Sequence, residues 1–518
     1  MYLMKINHIA KGLSLAALAL TLGSCTSGFE EINRPGGNLD KETLQRDNYS
    51  ISSFLIQLQN RSFPEQENWY QTNFDLVGNY LGRYFTYAND GFSSKNFTIF
   101  TAPNSWLAWA NSEVLVPAKS AFAEIEALSD KGDLNYNWAL IMRAHAFLAL
   151  TDKSGPMPFG LDPKNPEGYN SQEDIYKALV NDLTTASKVL KAYTLANPGV
   201  KVNEAADKIY GGDFAKWIKF ANSLKLRIAI RMRYAAPELA QQYAKEALAE
   251  GVIESSADNC AITYIPRGLY KTSVEWGDSR ACADIDSYMN GYEDPRISAY
   301  FAEPETKADR KLVGCLAGAN VKNKAAADKL YSAAAVTKNS PSVWLSAAEM
   351  WFCRAEGALA GWPNMGGSVK ELYERGVKES FTQWGATGVE AYLQSEKTPA
   401  NYKDAVGGYG KDMPAVSTIT PKWDEAADVE VKLERLITQK WLALFPNGQE
   451  AWSEIRRTGY PKVFALPVAT SGYTIHVANR IPYDVNERTR NQANYAAALT
   501  ILGGADDYAT KLWWQQKK

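Results

Sequence analysis

The stretch "FAKWIKFANSLKLRIAIRM" (214–232) constrains the fold most strongly. Phe214, Trp217, Ile218, Ala221, Leu224, Ile228 and Met232 fall on one stripe of a helix, while Lys219, Ser223, Arg227 and Arg231 step by four along another. The apolar stripe needs a covering neighbour, and the basic one reads as a solvated or salt-bridged face. In "WLSAAEMWFCRAEGALAG" (344–361) the same pattern returns at Leu345, Ala348, Phe352, Ala355 and Leu359, and Gly361 followed by Pro363 stops the helix. Further amphipathic runs lie at about 106–128, 136–151, 172–192, 237–250, 368–381, 430–445 and 449–456, many as adjacent pairs. Helix pairs that cannot bury their apolar faces alone stack on one another, as in tetratricopeptide arrays. No strict 34-residue period is present, so the expected fold is all-α, with degenerate tetratricopeptide-like pairs forming a superhelical scaffold.

Long stretches of poor periodicity separate these runs: about 60–105, 152–171, 252–285, 295–342, 383–430 and 457–495. Loops longer than about 15 residues are usually functional or disordered. Their many aromatics argue against disorder, so they read as packed excursions over the scaffold, forming a long-loop half where function is concentrated.

The N-terminus carries a separate signal. Lys5 and Lys11 precede the apolar run Leu13–Leu22, which fits the hydrophobic region of a secretory signal and is too short to span a bilayer. Leu22-Gly23-Ser24-Cys25 resembles a lipobox, so Cys25 is expected to be acylated and to become the mature N-terminus. Residues 1–24 are then a lipoprotein signal peptide and 25–518 a single domain. Two or three acyl chains hold a protein firmly to a membrane, whereas one holds it marginally.

With 56 Lys+Arg against 58 Asp+Glu, the charge points to no nucleic acid and to no anionic membrane surface. Cys260, Cys282, Cys315 and Cys353 have no metal-ligand spacing, and a Cys260–Cys282 disulfide is one possibility in an oxidising compartment. Outside the signal the histidines are His145 and His476. His145 lies in an apolar helical run and reads as a satisfied core residue.

Six blocks carry a family resemblance: "IMRAHAFLALTDKSGPMPF" (141–159), "FAKWIKFANSLKLRIAIR" (214–231), "YMNGYEDPRISAYF" (288–301), "SAAEMWFCRAEGALAGW" (346–362), "ERLITQKWLALFPNGQEAWSEIRRTGYP" (434–461) and "RIPYDVNERTRN" (480–491). In this order, behind a lipobox and "GFEEIN", the chain resembles the SusD/RagB family of Bacteroidetes nutrient-binding lipoproteins. The resemblance implies a surface lipoprotein that binds oligosaccharides, or in some members peptides. It also implies delivery to a SusC-like TonB-dependent outer-membrane transporter, without catalysis and without a cofactor or metal. Most of the matching blocks read as scaffold. Asp294-Pro295-Arg296, for example, reads as a fixed turn with an ion pair.

A sugar binder wants rigid aromatic platforms and a few polar groups that fix orientation. The chain has 15 Trp and 28 Tyr, so the question is which of them leave the core. Trp106, Trp217, Trp351 and Trp441 lie on periodic helices and are assigned to the core. Aromatics in aperiodic stretches with polar neighbours are the candidates. "GRYFTYANDGF" offers Arg83, Tyr84, Tyr87, Asn89, Asp90 and Phe92, and "YKTSVEWGDSR" offers Tyr270, Trp276, Asp278 and Arg280. Trp69-Tyr70 and Trp513-Trp514 are weaker candidates.

Enzyme readings fare poorly. Glu349 and Glu356 lie seven residues apart on one helix, about 10.5 Å along the axis. Glycosidase carboxylates sit about 5–9.5 Å apart across a sugar, normally on different elements. "DIDSYMNGYED" (284–294) fails as a calcium loop, with Tyr288 and Met289 where a ligand and a glycine belong. Four readings remain: glycan capture, peptide capture, a glycoside hydrolase and a structural surface-layer role.

Overall fold

A computed structural model describes residues 49–263, 267–467 and 472–518. Cys25 and the signal segment lie outside the described residues. The helices that position the rest are α1 (Tyr49–Ser62), α2 (Val116–Leu128), α3 (Leu134–Ser154), α4 (Gln172–Ala196), α5 (Phe214–Met232) and α6 (Pro237–Glu250). They continue with α7 (Ala283–Tyr292), α8 (Lys324–Leu330), α9 (Ala347–Leu359), α10 (Val369–Trp384), α11 (Val429–Leu444), α12 (Gly448–Thr458) and α13 (Gln492–Leu502). Side-chain caps start several of them: Ser171 on α4, Asp213 on α5, Ser346 on α9 and Asn447 on α12. Ser368 and Glu371 form a reciprocal capping box on α10.

The pairing expected from periodicity is present. α3 packs on α4, α5 on α6, α9 on α10 and α11 on α12, and the pairs stack through α4 on α5, α5 on α9 and α9 on α11. The mostly helical, tetratricopeptide-like fold expected from the sequence is the fold observed. Trp138, Trp217, Trp441, Trp452 and Trp514 are fully buried in this stack.

The C-terminal half of the α5 basic stripe turns inward, while Lys219 stays at the surface and pairs with Asp258. Arg227 donates twice to Glu349, from Nε at 2.6 Å and Nη2 at 2.7 Å, and Arg231 pairs with Asp152 at 2.5 Å and with Glu450. Glu356 accepts from Arg457 at 2.5 and 2.7 Å, and Lys440 donates to Glu454 at 3.0 Å. The seven-residue carboxylate pair of α9 is thus spent on separate buried ion pairs. Burial works to raise Glu454, but Arg457 and Lys440 outweigh it and hold that carboxyl well below its usual range. His145 is a core residue, stacked on Phe63 at 4.3 Å with Nδ1 2.9 Å from the Ser62 carbonyl, and burial pulls its imidazole down to about 3. Asp294 and Arg296 form the expected turn and ion pair, fully buried at 2.6 Å. The four cysteines of the described residues are buried and free, so Cys260 and Cys282 are not bridged.

Two regions depart from the periodic reading. The run at 106–128 is not one helix: a short turn at Asn104–Leu107 and i→i+5 turns over Ala110–Leu115 precede α2. Pro117 has no N–H for the Glu113 carbonyl, and Arg61 donates to that carbonyl instead at 3.0 Å. The stretch 60–105 is not all loop: Gln71–Asn79 winds in i→i+5 turns, whose spacing a search for 3.6-residue periodicity misses. This wide helix packs on α12 so closely that a Cβ on Gly448 would lie 2.4 Å from the Asn79 nitrogen.

Candidate functional site

Two short strands bring the two candidate stretches together. β1 (Phe85–Tyr87) pairs antiparallel with β3 (Ser279–Ala281), Thr86 opposite Arg280. A second small pair, β2 (Cys260–Ile262) with β4 (Ser342–Leu345), lies elsewhere in the chain order. The β1–β3 ladder runs one step further at each end, with Ala88 N–H donating to the Asp278 carbonyl at 2.8 Å and Cys282 N–H to the Tyr84 carbonyl at 2.9 Å. The turn after β1 and the loop before β3 are therefore held side by side.

The turn begins at Asn89, whose Oδ1 accepts from Gly91 N–H at 2.8 Å. This local bond closes the turn and leaves Asp90 exposed and Phe92 partly exposed. Behind it, Asn96 donates to the Phe92 carbonyl at 2.8 Å, and Ser93 Oγ donates to the Val321 carbonyl at 2.5 Å. The Phe92 ring meets Trp106 edge-on at 5.6 Å, and Trp106 stacks on Trp109 at 4.9 Å with 24° between planes. Both indoles are partly exposed. On the neighbouring loop Trp276 is also partly exposed; its backbone N–H closes a wide turn to the Lys271 carbonyl at 2.7 Å. Gly277 follows with φ +69°, and a Cβ there would lie 2.5 Å from the Asp328 carboxylate, so only glycine fits.

Polar side chains lock these loops. The Asp278 carboxylate accepts from Asn89 Nδ2 at 2.8 Å, Lys324 Nζ at 2.7 Å and Gln71 Nε2 at 2.8 Å. Arg280 pairs with Asp328 at 3.1 Å and donates to the Ser273 carbonyl at 2.5 Å. Burial lowers the Arg280 guanidinium and raises the Asp328 carboxyl from their ordinary values, against their mutual attraction. Tyr409, partly exposed, donates to the Asn323 carbonyl at 3.3 Å beside α8.

The ten candidate residues therefore fall into groups. Asn89, Asp90, Phe92 and Trp276 sit at the surface of the two joined loops. Asp278 and Arg280 are beneath it, 7% and 6% exposed. Arg83, Tyr84 and Tyr87 were expected to leave the core and do not. Each is 1% exposed or less. The Tyr84 hydroxyl donates to the Trp441 carbonyl, and Arg83, at φ +65°, donates to the His476 carbonyl and faces Asp284 at 3.9 Å. These side chains anchor the loop to the scaffold and offer no face to a solvated ligand. Tyr270 lines a cavity of about 180 Å³ with Arg267, Trp384 and Pro446, which none of the other nine lines.

Sequence reasoning assigned Trp106 and Trp351 to the core, and both are partly exposed. It did not single out Trp109 or Tyr409. The signal for the Trp pair was present: the two tryptophans lie three residues apart, on one helical face, among Asn104, Ser105 and Asn111. Of the weaker candidates, Trp514 is fully buried and donates to Asp152 at 3.0 Å, while Trp69 lies under Arg61 at 3.5 Å.

A profile of the SusD-like family, described as Susd and RagB outer membrane lipoprotein, matches residues 31–515. The chain belongs to the SusD/RagB family. Solved SusD homologues are similar along nearly their whole length. One from Bacteroides thetaiotaomicron is 34% identical with a TM-score of 0.85, covering 91% of this chain and 100% of its own. A chitin-binding SusD homologue from Flavobacterium johnsoniae is 32% identical with a TM-score of 0.82, over 90% of this chain and 98% of its own. A SusD homologue from Bacteroides uniformis is 34% identical with a TM-score of 0.84, over 91% of this chain and 100% of its own. No curated protein matches the chain. Among the described residues of this SusD-like chain, no helix is long and apolar enough to cross a membrane, and no group of His, Cys, Asp and Glu could hold a metal ion.

Proposed function

We propose that this protein is a non-catalytic, lipid-anchored surface protein that captures oligosaccharides and passes them to a SusC-like TonB-dependent outer-membrane transporter. The observation that carries the reading is the set of partly exposed rings: Phe92 and Trp276 on loops joined by the β1–β3 ladder and the Asn89–Asp278 hydrogen bond, with Trp106 and Trp109 stacked beside Phe92. Flat rings accept the C–H faces of sugars, and the exposed Asp90 carboxylate at the rim would meet hydroxyls. Membership of the family and likeness to a chitin-binding homologue support a glycan as the cargo. Cys25 supplies the anchor in this reading.

Titration calorimetry against a panel of neutral oligosaccharides, chitooligosaccharides included, tests it. Binding to at least one glycan, with the glycan recovered uncleaved after long incubation, is the expected result. Silence across sugars with binding of oligopeptides would replace the glycan by a peptide, and cleaved products would make the protein a hydrolase. Co-purification of a TonB-dependent barrel from outer membranes with the wild-type chain, and loss of membrane association in Cys25→Ser, test the partner and the anchor.

A further inference from the structure

One carboxylate lies at the meeting point of three stretches that are far apart in sequence. Asp278 is 7% exposed, yet it accepts from Gln71 on the wide helix, from Asn89 at the head of the Phe92 turn and from Lys324 on α8. Its main chain is committed as well: its N–H donates to the Thr272 carbonyl at 2.8 Å, and its carbonyl accepts from Ala88. Three donors nearly fill the four acceptor positions of an ionised carboxylate, and one of them is a cation. α8 grips the same loop twice, because Asp328, one turn after Lys324, pairs with Arg280 two residues beyond Asp278. Of these partners Asn89 caps the Phe92 turn, and Asp278 itself lies two residues after Trp276.

We infer that Asp278 is a positioning residue that fixes the spacing between the Phe92 turn and the Trp276 loop, and so pre-forms the ligand surface. The consequence for sugar affinity rests on the capture reading above. The chemistry demands a charge with acceptors only. In the Asp278→Asn variant the new amide NH₂ would face either Gln71 or the Asn89 and Lys324 donors on the other oxygen, so a neighbouring donor must turn away or an amide must flip, and Lys324 loses that counter-ion. Because a ligand must then order the turn itself, the loss appears in affinity more than in global stability.

The test is hydrogen exchange followed by mass spectrometry on the full chain, together with calorimetric titration by a glycan that the wild type binds. Asp278→Asn should speed exchange at amides 88–93 at least tenfold and weaken glycan binding at least tenfold, with Tm lowered by only a few degrees. Lys324→Met, which leaves two of the three bonds, should show about a threefold effect on both, and Lys324→Arg should restore wild-type behaviour. Unchanged exchange at 88–93 and unchanged affinity in Asp278→Asn would overturn the inference. Should that variant fail to fold, Gln71→Leu and Lys324→Met decide in its place, and wild-type exchange in both would overturn it. A wild type that binds no sugar while exchange at the turn still responds to Asp278→Asn would sink the capture reading and leave the positioning role standing.

Discussion

The stack of α3, α4, α5, α9, α11 and α12 and the loops around β1 and β3 both pair their buried charges, Asp278 with Lys324 and Arg280 with Asp328 among the loops, but they differ in where they leave their aromatics. In the stack, charges are inside and paired: Arg227, Arg231 and Arg457 sit among Asp152, Glu349, Glu356, Glu450 and Glu454 with almost no surface. In the loop half, several aromatics stay outside: Phe92, Trp106, Trp109 and Trp276 each keep part of a ring open. A buried ion pair is costly to break but adds little over an apolar pair, so the network specifies which helix faces meet. The exposed part of such a ring leaves apolar surface in water and adds nothing to the fold. The stack is therefore organised for specificity of assembly and the loop half for contact with something else.

That contrast can be broken by substitutions of graded effect. Arg231→Met removes the cation shared by Asp152 and Glu450, leaving Asp152 with the Tyr176 and Trp514 donors and Glu450 with Arg227 at 3.5 Å, and we expect about 3–5 kcal/mol of destabilisation or loss of folding, read by denaturant unfolding. His145 tests the stack through pH. Its folded imidazole stays neutral down to about 3, whereas the unfolded chain takes up a proton below about 6.5. Stability from this group is present above pH 6.5 and is lost as pH falls through that window. The slope is about 1.4 kcal/mol per pH unit for one proton. Asp75 and Asp286, pushed up to about 6 by burial, act in the opposite sense, favouring the fold below pH 6 and losing that contribution as pH rises from about 4 to 6. His145→Phe should thus shift the slope of stability against pH by close to one proton toward greater relative stability in acid, measured by chemical unfolding at pH 6, 5 and 4.

On the loop side, Trp276→Ala should weaken glycan binding at least tenfold, about 1.4 kcal/mol, with an unchanged circular dichroism spectrum. Intact affinity would remove that ring from the site. The smallest effect falls on Tyr84→Phe, which removes the bond to the Trp441 carbonyl. It should cost about 1 kcal/mol of stability and leave affinity alone. A loss of binding equal to that of Trp276→Ala would erase the distinction between anchor and platform.

Much of the stack was legible because amphipathic helices repeat every 3.6 residues, and the runs at 172–192, 237–250 and 430–445 match α4, α6 and α11 closely. Period alone does not say whether a polar stripe faces water. Arg227 and Arg231 point inward because Glu349, Glu450 and Asp152, distant in sequence, arrive to meet them. The same limit governs the site. The two stretches that β1 and β3 join were both singled out, but not which of their rings would point outward. Tyr84 and Tyr87 are buried because the strand at 85–87 packs on the wide helix and Tyr84 reaches Trp441 on α11. Trp106 and Trp109 are partly exposed on the short turns before α2, where the helical run is interrupted at Ala108 and does not start at Trp106 as periodicity suggests. Each miss is a tertiary or backbone event with no local periodic signature.

The central claim is that the exposed rings of the loop half grip a sugar that the stack never touches. Calorimetric titration of the Trp106→Ala/Trp109→Ala double variant, with the glycan that binds the wild type best, tests it most directly. Binding should fall at least tenfold at a Tm within a few degrees of wild type. Wild-type affinity in that variant would contradict it.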